Sequence, residues 1–175
     1  RKKDWFIHHK IAQYLFELGR TDEAQERAVE AVLAPGPREL GFKWELFLLM
    51  GRIYQAQGEM EKARKHVLLA AKVRQEEDWK VPPELAQSVN ELSVDMSVEG
   101  SARDLERELR REWQSQKVAD MPEGLGEITN IREDRGFGFI RGQDGKDYYF
   151  KFSWYDGPKH LLEPGQRVRF KIEAN

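Results

Sequence analysis

The N-terminal two thirds of the chain has apolar or small residues at the spacing of amphipathic helices. Phe47, Met50 and Tyr54, for example, follow one another at intervals of three and four, which places them on one helix face. The pattern recurs after 39 residues, because Gly19 aligns with Gly58 and the small residues that follow each glycine also align. The sequence therefore predicts two helical hairpins with a glycine at each turn.

A third, less regular helical pair follows these hairpins. Apolar positions predict helices over residues 83–95 and 102–118. Ser101 and Asp104 have the spacing of a capping box, which would start the last helix at Ala102. We expect residues 1–120 to form one helical domain.

A different pattern begins after residue 120. Short runs rich in β-branched and aromatic residues predict strands over 127–132, 135–141, 147–152 and 167–172. Phe137 and Phe139 lie two positions apart in the second run, so their rings share one face of that strand. The flanking Gly136 and Gly138 carry no side chain, and we therefore interpret the two rings as a surface for flat ligands rather than as core.

The expected organisation is a multidomain α + β fold. It has a helical domain over 1–120, a linker over 121–125 and a small antiparallel β domain over 126–175. Composition supports this division, because nine of the 19 aromatic residues fall within residues 125–175. These residues have a net charge of +1, whereas the rest of the chain has −3. Since +1 is not a strongly basic balance, charge alone does not identify a nucleic-acid partner.

Several kinds of site are excluded or disfavoured by the residue types. The chain has no cysteine, which excludes disulfides, thiolate metal sites and thiol nucleophiles. No two of its four histidines have the i, i+4 spacing of a helical metal site. No catalytic motif is present, so we expect neither an enzyme nor a cofactor. No apolar run approaches the roughly 20 residues of a membrane span. We expect a cytoplasmic protein and, because residue 1 is arginine rather than methionine, part of a longer chain or complex.

The spacing of small and aromatic positions in the helical domain resembles the tetratricopeptide repeat. The resemblance covers about residues 4–34 and 44–75 and implies a solenoid whose concave groove binds a peptide or protein. Residues at the groove-facing positions of that repeat are His9, Gln13, Phe16 and Glu17 in the first hairpin and Leu48, Arg52 and Gln55 in the second. The alternative is that these helices form only a spacer or a packing surface.

Two motifs in the β domain resemble those of a nucleic-acid-binding family. The string Arg135-Gly136-Phe137-Gly138-Phe139-Ile140 resembles the first ribonucleoprotein motif, which RNA-recognition-motif domains and cold-shock domains share. Too few residues separate Gly126 from Arg135 for the helix that precedes this motif in RNA-recognition-motif domains. The order instead resembles the cold-shock domain, a five-stranded OB-type barrel, with residues 147–152 as the second motif. Because the sequence reaches Asn175 before a fifth strand, the barrel would have an open edge. Either the sequence is truncated, or the helical part or a partner covers this edge.

The cold-shock resemblance implies a specific set of binding residues. The rings that would stack on bases are Phe137, Phe139, Tyr149 and Phe152, and the cations that would meet phosphates or bases are Arg135, Arg141 and Lys151. Stacking of this kind is worth about 1–3 kcal/mol per base.

The sequence departs from the cold-shock family pattern at three positions on the first and third strands. Asn130 and Ile131 replace the family's Trp and Phe on the first strand, and Lys151 replaces a His on the third. Fewer rings predict weaker binding or a shorter footprint. Trp154 and Tyr155 are either replacement rings or loop residues folded onto the end of the barrel.

The function expected from the sequence is that of a non-catalytic adaptor. Its β domain would bind single-stranded nucleic acid, with RNA favoured over DNA, and its helices would bind a protein. One alternative is a protein-protein scaffold without nucleic-acid binding. The other is a regulatory fragment of a larger nucleic-acid-processing enzyme.

Overall fold

The structure is a computed structural model that describes residues 4–36 and 40–173. Contacts divide the chain into two compact units, residues 1–117 and 118–175. Over the described residues, six α-helices are followed by four antiparallel strands. The coarse prediction of helices followed by a β domain is therefore confirmed. Among the described helices, none has the length and apolar character that crossing a bilayer requires.

The helical unit contains six helices, of which the first four form two packed hairpins. Their bounds are α1 Asp4–Glu17, α2 Thr21–Leu33, α3 Trp44–Ala56, α4 Met60–Glu76, α5 Pro83–Glu91 and α6 Ala102–Ala119. A short 3₁₀ helix, Leu40–Lys43, precedes α3. The last two helices lie near the expected positions, although α5 ends at Glu91 rather than at residue 95. They do not form the expected third pair, because α5 packs mainly against α4. Ser101 and Asp104 form the expected capping box: the Asp104 amide donates to the Ser101 hydroxyl at 3.2 Å, and the Ser101 amide donates to Asp104 Oδ2 at 3.2 Å.

The first two pairs turn in the same way. Gly19 and Gly58 adopt left-handed φ angles of 74° and 80°, a region in which glycine is not penalised. In each turn the residue after the glycine donates its amide to the carbonyl five positions back. These bonds are Arg20 to Leu15 and Glu59 to Tyr54, both 2.9 Å. The 39-residue period is therefore also a repeat of turn geometry.

A buried aromatic cluster holds α6 against α3 and α4. The Trp113 ring stacks on Phe47 at 6.2 Å between centroids, and its indole N–H donates to His66 Nε2 at 2.9 Å. His66 Nδ1 lies 2.7 Å from the Lys62 carbonyl, which assigns the proton to Nδ1. Tyr54 donates its hydroxyl to Gln116 at 3.0 Å. Burial lowers the pKa of His66 to about 4, so the ring is neutral at neutral pH.

The C-terminal unit is built on an antiparallel sheet with strand order β3-β2-β1-β4. The strands are β1 Glu123–Arg132, β2 Phe137–Gly142, β3 Asp147–Lys151 and β4 Arg167–Lys171. β1 begins at Glu123, within the segment 121–125 that we expected to be a linker. Arg135 lies outside β2, because a 3₁₀ turn at Glu133–Arg135 ends at Gly136 with φ 68°.

One face of the sheet carries the core of this unit. Ile128, Ile140 and Leu162 are buried at its centre, and the side chains that pack around them include Tyr148, Phe150, Phe152, Val168 and Phe170. Over residues 118–173 the sheet is open, with β3 and β4 at its two edges. The expected OB-type barrel is therefore not closed in this part of the chain.

Candidate nucleic-acid interface

The pairing of β2 with β3 brings the predicted rings together. Phe139 lies directly opposite Tyr149, and Phe137 lies opposite Lys151. Directly opposed residues of an antiparallel pair project from the same face. The alternate residues Gly138 and Ile140 are buried on the other face. The sheet therefore separates its core from a face that carries three rings and a lysine.

Phe137, Phe139 and Tyr149 form a contiguous aromatic surface, here named the ring triad. Their centroids are separated by 5.8 Å for Phe137 and Phe139, 5.4 Å for Phe137 and Tyr149, and 6.0 Å for Phe139 and Tyr149. Tyr149 is 47% exposed, and the two phenylalanines are half-buried. Flat apolar surface is thus available to a ligand on the solvent side of the sheet.

Gly138 has a role that differs from our interpretation of the sequence. It is buried, and a Cβ added there would lie 2.6 Å from the Phe150 ring and 2.7 Å from the Asn130 carbonyl. Gly138 therefore allows Phe150 to approach the core face of β2, instead of uncovering the phenylalanine rings. Gly136 is required for its left-handed φ at the turn before β2.

Phe152 does not belong to the ring triad. It packs against the core of the unit and stacks on Phe150, with 6.0 Å between centroids and 29° between planes. The alternation of a strand places residue 152 on the same side as residue 150. The strand then ends in a 3₁₀ turn at Phe152–Trp154. This corrects the expectation that Phe152 is one of the stacking rings.

Trp154 adjoins the ring triad, whereas Tyr155 does not. Trp154 is 58% exposed and meets Tyr149 edge-on, at 6.0 Å between centroids and 89° between planes. Tyr155 packs against the core, and its hydroxyl accepts a hydrogen bond from Gln166 at 3.3 Å. Of the two sequence alternatives, Trp154 is an exposed ring and Tyr155 is a folded-in loop residue.

The three predicted cations differ in their availability. Arg141 is held by Asp147 through two contacts, Nε to Oδ1 at 2.5 Å and Nη2 to Oδ2 at 3.0 Å, and this pairing raises the pKa of Arg141. Arg135 is exposed and lies 3.6 Å from the Asp134 carboxylate. The Lys151 ammonium lies 5.4 Å from the centroid of the Trp154 ring. Lys151 and Arg135 are therefore better placed than Arg141 to meet phosphate.

β1 contributes polar groups to the ring face. Asn130 pairs with Phe139 and Arg132 pairs with Phe137, after a bulge between Ile128 and Asn130. Ile131 pairs with the buried Gly138 and packs on the core side. Sequence reasoning missed Arg132, which adds an exposed cation beside the ring triad. Its place depends on the register after the bulge, which the residue pattern does not reveal.

The groove residues predicted in α1 are partly enclosed. His9 is 4% exposed, stacks on Trp5 at 6.2 Å, and has its pKa lowered to about 4, mainly by burial. Gln13 donates to Glu17 at 3.1 Å. Phe16 is half-buried and packs against the helical core. Gln13 and Glu17 keep polar surface, but His9 does not line an open surface as we expected.

The groove residues predicted in α3 are buried or half-buried. Leu48 is buried at 4% exposure, and Gln55 is half-buried. Arg52 Nη2 lies 3.4 Å from the carbonyl of Glu84, near the start of α5. This helix occupies part of the surface that the repeat pattern assigned to a groove. Leu48 is unavailable to a peptide because its side chain is buried.

The described residues contain no cluster of three His, Asp or Glu side chains that could hold a metal ion. His8 is engaged differently, because its Nδ1 lies 3.0 Å from the Glu30 carboxylate. The ring face carries three aromatic rings and Lys151, so it offers apolar contact and positive charge to a ligand.

Comparison with known proteins yields one clear relative. Residues in the C-terminal part of the chain are similar to Cold shock protein 1 of Lactiplantibacillus plantarum, with 42% identity over 52 residues. The match covers 29% of this chain and 77% of that relative. No family model matches the chain, and no solved structure matches it.

Proposed function

Because its C-terminal part places this chain in the cold-shock protein family, we propose that it binds single-stranded nucleic acid on the ring triad. The observation that carries the proposal is the contiguity of Phe137, Phe139 and Tyr149 on the solvent side of the sheet. Unpaired bases stack on such rings irrespective of base identity, at about 1–3 kcal/mol each.

Electrostatic attraction adds to stacking in this mechanism. Arg132 and Lys151 border the ring triad, and Arg135 is exposed in the turn before β2. These three cations would neutralise phosphates. Affinity that comes from phosphate neutralisation falls as salt rises, because counterions are released on binding. The binding step involves no bond chemistry, and we propose a non-catalytic role for the chain.

The test is fluorescence anisotropy with labelled single-stranded RNA, single-stranded DNA and a duplex of the same sequence. We expect the single strands to bind more tightly than the duplex, whose stacked bases cannot reach the rings. A Phe137→Ala/Phe139→Ala variant should lose about 10-fold or more in affinity, as expected for at least one lost stacking contact. A folded variant with unchanged affinity would contradict the proposal, and so would equal affinity for the duplex.

The preference for RNA is the finer part of the proposal. It is supported by the resemblance of residues 135–140 and 147–152 to ribonucleoprotein motifs. The RNA-to-DNA ratio of dissociation constants tests it in the same experiment. Equal constants would remove the preference and leave the stacking mechanism intact.

The adaptor role assigns protein binding to the helical, tetratricopeptide-like unit. An exposed apolar stripe on α1 and the residue that follows it supports it: Ile7, Ile11, Tyr14 and Leu18 are 39–71% exposed at spacings of three and four. Contiguous exposed apolar residues often mark interaction surfaces. A photo-crosslinking residue in place of Tyr14 should capture a discrete protein in cells, whereas one in place of exposed Gln143 should not. The same products from both positions would contradict this assignment.

A further inference from the structure

Trp154 is an exposed aromatic residue that no part of the core explains. The 3₁₀ turn that contains it sends its neighbours inward, since Phe152 and Tyr155 both pack on the core of the unit. Trp154 instead keeps 58% of its surface exposed. A large ring left in water gains little of the hydrophobic stabilisation that burial would give. A ligand-binding role explains its position better than a packing role.

The surroundings of Trp154 leave one indole face open. Lys151 Nζ lies over the ring at 5.4 Å from its centroid, and Tyr149 meets it edge-on at 6.0 Å. Lysine therefore covers one face and tyrosine lies at a boundary, so the exposed surface lies on the opposite face and the far edge. The edge-on contact with Tyr149 places Trp154 next to the ring triad.

The opposite side of the ring triad lacks an equivalent ring. On β1, the residue paired with Phe139 is Asn130, which cannot provide a stacking surface of this kind. The aromatic surface is thus asymmetric, since it ends at β1 and extends past β3 to Trp154. A nucleic-acid strand bound across this aromatic surface would make its additional stacking contact beyond β3.

We propose that Trp154 is a fourth base-stacking position and that Lys151 beside it binds the phosphate next to the stacked base. The inference rests on the proposed function of the ring triad and specifies where the bound strand extends. In the free protein the Lys151 ammonium lies over the Trp154 ring. In the complex it would bind a phosphate beside the base that stacks on the other face of that ring. The ligand class is a single strand long enough to reach from the ring triad to Trp154.

The test compares the full chain with Trp154→Ala and Trp154→Phe, using labelled oligothymidylates of increasing length. Trp79→Phe is the matched control, because Trp79 is 37% exposed and lies in the helical unit. We expect Trp154→Ala to raise Kd about 5- to 150-fold for the longer strands, which corresponds to about 1–3 kcal/mol for one lost stacked base. For oligonucleotides too short to reach Trp154, Trp154→Ala should change the affinity little. For the longer ones, Trp154→Phe should retain most of the affinity that Trp154→Ala loses.

Intrinsic fluorescence provides an independent readout. The other four tryptophans are Trp5, Trp44, Trp79 and Trp113, all within the helical unit. Stacking of a base on Trp154 should quench part of the wild-type emission, and Trp154→Phe should remove this quenching while Trp79→Phe retains it. Circular dichroism verifies that each variant is folded.

The outcomes separate this inference from the proposed function. One outcome is that the wild type binds, that Tyr149→Ala weakens binding, and that Trp154→Ala changes neither Kd nor its dependence on length. In that case Trp154 is not a stacking position, and the proposed function of the ring triad is retained. Quenching that persists in Trp154→Phe would also overturn the inference. If the wild type binds no oligonucleotide, both the inference and the proposed function fail.

Discussion

Acidification should destabilise the helical unit through His66. The ring is 1% exposed, donates from Nδ1 to the Lys62 carbonyl, and accepts from Trp113 at Nε2. A proton on Nε2 would remove that acceptor and place a charge in an apolar core. Burial is the main reason that the pKa of His66 falls to about 4. The hydrogen bond to the Lys62 carbonyl opposes this fall, and the charges of Lys62 and Lys65 contribute to it.

The magnitude follows from the difference between the folded and unfolded states. The unfolded chain binds a proton at this histidine near pH 6.5, whereas the folded chain does so only near pH 4. Because the pKa of His66 is lower in the folded state, the neutral ring contributes fully to the free energy of unfolding above pH 6.5. This contribution is lost as the pH falls toward the folded-state pKa. The total loss is about 3 kcal/mol, of which about 2 kcal/mol is lost by about pH 5.

Urea unfolding followed by helical circular dichroism measures this loss at neutral pH and at about pH 5. His66→Gln removes the titrating group, and His160→Gln is the control at an exposed histidine. His9 also has a lowered pKa, but it is present in all three proteins and cancels in the comparison. The wild type and His160→Gln should each lose about 2 kcal/mol more than His66→Gln. Parallel losses in all three proteins would refute the reasoning.

Three further predictions concern single contacts. Trp113→Phe leaves the buried Nε2 of His66 without its donor and should cost about 1–3 kcal/mol in urea unfolding; an unchanged midpoint would count against the hydrogen bond. Gly58→Ala meets no neighbour but must adopt φ 80°, so its melting temperature should fall by an amount equivalent to about 1–2 kcal/mol; equal melting curves would argue against a left-handed turn. Lys151→Gln should make the slope of log Kd against log salt shallower by about 0.7. Arg141→Gln should change this slope less, because Asp147 already neutralises that arginine. A larger change for Arg141→Gln would show that Arg141 is the phosphate contact.

Local patterns were sufficient to predict the hairpins and the main ring pair. Gly19 and Gly58 are predictable because a left-handed turn favours glycine regardless of its neighbours. Phe137 and Phe139 share a face because strand side chains alternate. The same alternation, continued from Phe150, indicates the core side for residue 152, and the family resemblance led instead to its assignment as a stacking ring.

Other features depend on contacts between distant residues, which no local pattern contains. The pairing of Arg141 with Asp147 requires the register of β2 against β3. The contact of Arg52 with α5 requires the approach of Glu84, which is 32 positions away in the sequence. The exposure of Trp154 depends on how the 3₁₀ turn after β3 divides its aromatic residues between core and solvent.

The most direct measurement for the central claim is an NMR titration of the full chain with a short single-stranded RNA. We expect chemical-shift changes to concentrate at Phe137, Phe139 and Tyr149 and to reach Lys151, because these residues share the ring face. Resonances of core-facing residues such as Phe150 should shift less. Binding with its shifts centred in the helical unit, or on the core-facing side of the sheet, would contradict the account, as would the absence of any shift at saturating RNA.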